Sequence, residues 1–517
     1  MYLAQTLRRS AQLYGDRLAL VEGDHRQSWS EFEARVARLA GGLAARGVAP
    51  GDRVAMVAHN SYRYVEFFYA CFWAGAVAVP LNTRWAGPEL AFALEDSGTQ
   101  VVCADADHAE RVEALRETCN LRHCLFASDG APPAGWEAFD ALAGAPRLAD
   151  QGAGHRDLAC LFYTGGTTGR SKGVMLSHGN ILANSLTAMI NMDIREDSVH
   201  LHVSPMFHVA GGARIFSTTL AGGRHVVIPR FEPKPFLQTL EREGVTITII
   251  VPTMLARLVR EPALADTDLS ALKLLTYGAS PMPEALLRDA MAKLPGVRFL
   301  QSYGMTELSP VATVLTPDYH VFEGPKAGKT ASAGQPAYNA DVVVLGEDEQ
   351  PMPPGQIGEI CVRGPMVMQG YWKQPELTAD ALRGGYMHTG DAGYFDEDGF
   401  LFIVDRLKDM IVSGGENVYS AEVEDALYSH PAVQECAVIG IPSEQWGEAV
   451  HAVVVVKAGQ SVTEADLITH CKARIAGFKV PRSVTFSESE LPKSGPGKIL
   501  KTDLRAPFWA GRDRAVN

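Results

Sequence analysis

Residues 245–251 read VTITIIV, seven β-branched residues in succession. A continuous run of this kind is the pattern of a strand buried on both faces, and such a strand needs helices covering it from either side. Residues 272–276 and 297–300 are similar short apolar runs, and residues 283–294 between them form a helix with proline at its first turn. Strand, helix and strand in that order predict parallel pairing and an α/β fold.

The chain has 517 residues, enough for several domains and a large core. Its hydrophobic fraction of 46% and charged fraction of 21% exclude a disordered, collagen-like or coiled-coil protein. The net charge of −13 disfavours nucleic acid and anionic membranes as partners, so an anionic ligand must be met by local positive charge. The most apolar stretch, residues 67–81, is shorter than the ~20 residues of a membrane span, has Glu66 at its head and contains Gly75 and Pro80. It reads as a buried helix and strand, with no integral membrane segment. The N-terminus lacks the apolar core of a secretory signal, which makes the cytoplasm the expected compartment. Eight cysteines without any C-x-x-C pair fit buried, reduced thiols.

Ligands of parallel sheets gather beyond the carboxyl ends of strands, where two polar clusters fall. One is Tyr277-Gly278-Ala279-Ser280, the other Gln301-Ser302-Tyr303-Gly304-Met305-Thr306-Glu307. From about Gly355 the sequence becomes β-rich and turn-rich, and after Arg406 it returns to alternating strands and helices. This predicts two domains, 1–405 and 406–517.

The segment Tyr163-Thr164-Gly165-Gly166-Thr167-Thr168-Gly169-Arg170-Ser171-Lys172-Gly173 carries the strongest chemical signal. Its glycines let backbone N–H groups approach phosphate oxygens, its threonines add hydroxyl donors, and Lys172 adds a compact positive charge. It is not a Walker A loop, because Arg170 follows Gly169; residues 324–330, ending in Lys329-Thr330, are one residue short of that pattern.

At this loop the chain resembles the adenylate-forming superfamily of acyl-CoA synthetases, firefly luciferases and peptide-synthetase adenylation domains. Four later motifs repeat the resemblance in order: Tyr303-Gly304-Met305-Thr306-Glu307, Thr389-Gly390-Asp391, Asp405-Arg406-Leu407-Lys408 and Pro492-Lys493-Ser494-Gly495-Pro496-Gly497-Lys498. Ser171 departs from the family, which usually has proline there. The resemblance implies a large N-terminal domain of sheets and helices and a smaller, mobile C-terminal α+β domain turning about Lys408. It also implies ATP and AMP contacts from residues 164–169, Lys172, Gly278, Ala279, Ser280, Gln301, Ser302, Tyr303, Gly304 and Thr306, and ribose contacts from Asp391 and Arg406. Glu307 would hold Mg²⁺, a role suited to a hard oxygen ligand beside phosphates. Thr306, His208 and Lys498 are the implied catalytic residues, with Lys498 neutralising charge as a carboxylate attacks the α-phosphate. His208 borders the acyl site in the resembled P-x-F-H segment, and Gly414, Gly415 and Glu416 belong to the loop lining the pantetheine path.

The implied reaction joins a carboxylic acid to CoA through an acyl-adenylate, releasing AMP and pyrophosphate; the competing reading is a stand-alone enzyme that loads a carrier protein. Adenylation domains for amino acids place an aspartate just after the aromatic of the 205–208 segment, whereas this chain has His208 there and no acidic residue between Phe207 and Leu220. An α-amino acid is therefore disfavoured. The segments near 207–212, 277–282 and 305–312 are apolar or small, pointing to a fatty or aromatic monocarboxylate. Arg214 is expected to make a structural or surface contact, its alternative being a partner for a second carboxylate. The resemblance also allows a homodimer.

Overall fold

The computed structural model describes residues 1–164, 171–280, 282–406, 409–414, 416–493 and 499–510. The β-branched run forms the strand Ile247–Ile250, all four residues buried, inside a nine-stranded sheet. Leu274–Gly278 and Arg298–Gly304 lie beside it in parallel register, with Ile250 opposite Tyr277 and Gly278 opposite Ser302. The intervening helix is Glu284–Lys293. Pro283 stands one place ahead of the expected first turn: its ψ of 131° is extended, so it caps the helix from outside.

The two polar clusters lie partly within strands rather than beyond them. Val311–Leu315 pairs antiparallel with Arg298–Gly304, matching Gln301 to Leu315 and Gly304 to Val311, and this added partner carries the strand through the motif.

A second, eight-stranded sheet contains Arg53–Val57, Val77–Pro80, Val101–Ala104 and Leu158–Thr164. The apolar 67–81 stretch supplies one of those strands and most of the buried helix Tyr62–Trp73, which begins early because Ser61 Oγ accepts the Tyr64 N–H. Among the described residues, no helix is long and apolar enough to cross a membrane.

The β-rich region is a four-stranded antiparallel sheet of Asp341–Leu345, Gly358–Arg363, Met387–Phe395 and Leu401–Arg406. Beyond it, a smaller unit packs Ser420–Tyr428 and Glu464–Lys472 around a five-stranded sheet with its own apolar core. All eight cysteines are free and buried.

Glu66 shows what this packing demands. It is fully buried, accepts from Arg35 at 2.7 Å and from Gln27 at 3.2 Å, and burial pushes its carboxyl pKa up to about 6. The ordinary value is 4.5, so the native state holds this proton more tightly and the group opposes folding increasingly as pH rises from 4.5 to 6. Arg35→Met strands the carboxylate and should cost about 3 kcal/mol at pH 8, with a smaller loss at pH 5 where protonation relieves it. Chemical denaturation at both pH values checks this; equal losses would mean that the buried group is already neutral at pH 8.

Candidate active site

The glycine-threonine loop is carried by a hairpin. Leu158–Thr164 and Lys172–Ser177 pair antiparallel with Thr164 opposite Lys172, so the loop ends are held together by the ladder. Residues 165–169, the core of the expected phosphate cradle, lie outside the described residues. Lys172 begins the second strand with its ammonium 5.1 Å from the centre of the Tyr371 ring. The Tyr371 hydroxyl donates to Glu307 Oε1 at 2.8 Å.

Glu307 sits with buried Thr306 on the short turn Thr306–Leu308, and is only 6% exposed. Burial pushes its carboxyl pKa up, opposed by hydrogen bonds, including the Tyr371 hydroxyl, and by the charges of Arg406 and Lys172. Tyr371 had no signature in the sequence, since its role arises only where the short strand Gly370–Tyr371 pairs with residues 174–175.

Asp391 is the most constrained acid of the site. Its Oδ2 accepts from the Tyr303 hydroxyl at 2.8 Å and its Oδ1 lies 3.1 Å from Arg406 Nε, with Asp391 and Arg406 paired across adjacent strands. Thr389-Gly390-Asp391 is not a terminal turn but a bulge inside the strand Met387–Phe395. The neighbouring strand advances from Glu359 to Cys361 while this one advances from Ala392 back to His388, and Gly390 takes a φ of +70° to absorb the excess. Glu359 holds the bulge, accepting from the Gly390 N–H at 2.9 Å and lying 2.8 Å from His388 Nδ1. Thr389 Oγ1 donates to the Ile360 carbonyl at 2.7 Å and accepts from the Asp391 N–H at 3.1 Å.

Gly278 and Gly304 are required by close approach. A Cβ at Gly278 would lie 2.3 Å from the Ser302 carbonyl oxygen, and one at Gly304 would lie 1.8 Å from that of Pro310. Ala279 follows in an uncommon φ of +67° and is exposed, while Ser280, Gln301 and Ser302 are half-buried.

His208 caps the helix Val209–Ala221, its Nδ1 accepting the Ala210 N–H at 3.3 Å. Desolvation pushes its pKa down to about 4, so the imidazole is neutral near pH 7. Arg214, on the same helix, is not at the surface: it is 1% exposed. In the segment near 413–417, Ile411–Ser413 and Glu416–Val418 pair antiparallel, with Ser413 opposite Glu416. Gly414 has a φ of +63°, and a Cβ there would meet Trp446 Cε3 at 2.8 Å; Glu416 is exposed. Lys408, Gly415 and Lys498 lie outside the described residues. The near-Walker Lys329 is committed elsewhere, to Asp396 at 2.6 Å and Asp398 at 2.7 Å.

The structure thus joins Tyr303, Asp391 and Arg406 in one cluster and Lys172 and Glu307, through Tyr371, in another. Family models for an AMP-binding enzyme and its C-terminal domain match residues 7–372 and 422–498. The chain belongs to the AMP-binding enzyme family. Its chemistry is that of an ATP-dependent carboxylate–CoA ligase, and its relatives agree with that class. It is 43% identical over 504 residues to a feruloyl-CoA synthase of Amycolatopsis sp, covering 97% of this chain and 98% of the relative. It is 37% identical over 496 residues to the fatty acid–[acyl-carrier-protein] ligase ScoC of Streptomyces coeruleorubidus, covering 93% and 91%. The crystal structure of ATP-bound MatB from Rhodopseudomonas palustris superimposes with a TM-score of 0.88 at 33% identity, covering 98% of this chain and 99% of that one.

Two glycines of the site should respond differently to substitution. Gly304→Ala forces a side chain into a backbone oxygen and should cost about 3 kcal/mol, whereas Gly390→Ala meets no neighbour within 4 Å and should cost only the left-handed strain, about 1 kcal/mol. Denaturant titration of both variants measures the difference; a Gly304→Ala protein as stable as the parent would contradict this strand geometry.

Proposed function

We propose that this chain activates an aromatic carboxylic acid, forming an aryl-acyl adenylate and then its CoA thioester in the cytoplasm. The observation that carries the aromatic assignment is the end-to-end likeness to a feruloyl-CoA synthase. The Tyr303–Asp391–Arg406 cluster supports nucleotide binding at this place, since a carboxylate held from two sides is a rigid acceptor for ribose hydroxyls. The remaining candidates of residues 164–169, 278–280 and 301–306 line the adenine and phosphate contacts in this reading.

Lys172 neutralises phosphate charge, and Lys498 reaches the α-phosphate and the substrate carboxylate. No general base is required, because a carboxylic acid is ionised near pH 7. Glu307 would hold Mg²⁺: a buried carboxylate beside a threonine hydroxyl is a hard-oxygen donor set, and the ion when bound neutralises phosphate charge. Neutral His208 borders the acyl path as a positioning residue. Residues 1–405 bind ATP and acid in this reading, and residues 406–517 turn about Lys408 to exchange Lys498 for the segment of Gly414, Gly415 and Glu416. The extents of the two family models, 7–372 and 422–498, are compatible with that division.

A carrier protein as the thiol acceptor is the second reading, favoured by the likeness to ScoC, and a fatty acid would be its substrate. Pyrophosphate release over a panel of aromatic and fatty acids, with CoA or a phosphopantetheinylated carrier as acceptor, decides between them. Thioester formation only on the carrier would overturn the preferred reading.

Lys498→Ala should slow adenylation by at least ~10²-fold, the scale of one lost preorganised donor, while thiolysis of supplied acyl-adenylate survives. Equal loss in both half-reactions would remove Lys498 from its assigned role. Asp391→Ala should weaken ATP binding by about 1–3 kcal/mol, read by calorimetry; unaltered affinity would leave Asp391 with a purely structural part.

A further inference from the structure

Arg214 is a buried cation that forms no ion pair among the described residues. It is 1% exposed, and its hydrogen bond is a long one from Nη1 to Met192 Sδ at 3.6 Å. Nε and Nη2 have no partner among the described residues. A guanidinium so placed is costly unless paired, because burial strips its hydration. Desolvation pushes its pKa down only to about 10, which leaves it charged near pH 7.

Among the described residues its surroundings offer dipoles rather than a carboxylate. His200, His202 and His225 line the strand face under this helix, each at most 2% exposed. His202 Nε2 lies 3.0 Å from His225 Nδ1, His225 Nε2 lies 3.0 Å from Thr219 Oγ1, and His200 Nδ1 lies 3.2 Å from Thr218 Oγ1. Burial pushes all three pKa values down, that of His202 to about 3; His202 adds to the shift at His200 and His225, and the Arg214 charge adds to it at His200 and His202, so the imidazoles are neutral. His200 Nε2 is also unpartnered among the described residues, so two buried polar side chains near one another have unused capacity there.

Position connects this cluster to the reaction. Arg214 follows His208 by six residues, about 9 Å along the helix. The helix covers the strand Val199–His202, and residues 203–207 lead from that strand to His208. Arg214 therefore lies about 9 Å further along the helix that His208 begins, a distance comparable to the length of an aromatic acid.

We propose that Arg214 is a specificity-determining residue that binds an oxygen acceptor at the end of the substrate remote from its reacting carboxylate. The inference rests on the carboxylate-activating reading and on His208 marking the acyl path. A ring hydroxyl and a second carboxylate share the required chemistry, since either accepts from Nε and Nη2. An acid with a wholly apolar tail leaves these donors unpaired, and sites built to bond a substrate oxygen reject the analogue lacking it. This reverses the expectation of a wholly apolar acyl pocket.

The test compares kcat/KM by pyrophosphate release, with the full chain and CoA, for matched pairs: 4-hydroxycinnamate against cinnamate, and 2-succinylbenzoate against 4-oxo-4-phenylbutanoate. The parent should favour the oxygen-bearing member of at least one pair by tenfold or more, and the favoured pair names the source of the oxygen. Arg214→Met should bring that ratio close to one, and Arg214→Lys should restore part of it; the parent ratios stand as a test even if a variant fails to fold. No preference in either pair, or a ratio unmoved in a folded Arg214→Met protein, would overturn the proposal and leave Arg214 as a structural, water-satisfied cation. Isotope exchange between pyrophosphate and ATP with some other acid, when both pairs are inert, would overturn this proposal alone; exchange with no acid at all would overturn the carboxylate-activating reading as well.

Discussion

The carboxylate of Asp391 ties two sheets to one point. Tyr303 reaches it from the nine-stranded sheet, while its own strand and the adjacent strand that carries Arg406 belong to the antiparallel sheet, Arg406 ending the last strand before the small domain. With only one of these partners the carboxylate could rotate; with both, its two oxygens are assigned and its place is set. The neighbouring Asp405 turns the opposite way, accepting from the Ser420 N–H at 2.5 Å and the Ser420 hydroxyl at 2.6 Å on the first helix of the small domain. Alternation along a strand therefore gives residue 406 to the side of Asp391 and Tyr303 and residue 405 to the side of Ser420.

Within the small domain, half-buried ion pairs hold the last described helix in place. Lys501 pairs with Glu424 at 2.7 Å and contacts the Ser420 hydroxyl, and Arg505 pairs with Asp409 at 2.8 Å. Burial pushes the Glu424 carboxyl up, and the Lys501 ammonium opposes that shift. These pairs lie where a solvated surface pair would contribute little, and their low exposure makes each partner depend on the other.

A chain with net charge −13 has to arrange its cations with care if it is to bind an anionic nucleotide. Surface lysines such as Lys326 are spent on nearby carboxylates, in its case Asp318 at 2.8 Å. Lys172 is kept over the Tyr371 ring instead, a contact that positions the ammonium without neutralising it. Glu307, joined to the same tyrosine, has its carboxyl pKa raised by burial and lowered by Lys172 and Arg406, so the two acids and two bases of the site are balanced against one another.

The sequence by itself determined the fold class and the order of the motifs, and it named the candidate site residues. Those features are local: a β-branched run codes a doubly buried strand, glycines code close approach, and an ordered series of short motifs codes a shared chemistry. Tertiary structure alone decided that Thr389-Gly390-Asp391 is a bulge, since a bulge exists only against a partner strand of different count. It also decided that Tyr371 belongs to the site and that Arg214 is enclosed. Both outcomes depend on residues far away in the chain: Tyr371 meets Glu307 across 64 positions, and Arg214 is covered by the strand bearing His200 and by the helix ending at Met192. Burial is a property of what packs around a side chain, and no spacing within a helix tells an arginine facing water from one facing a sheet.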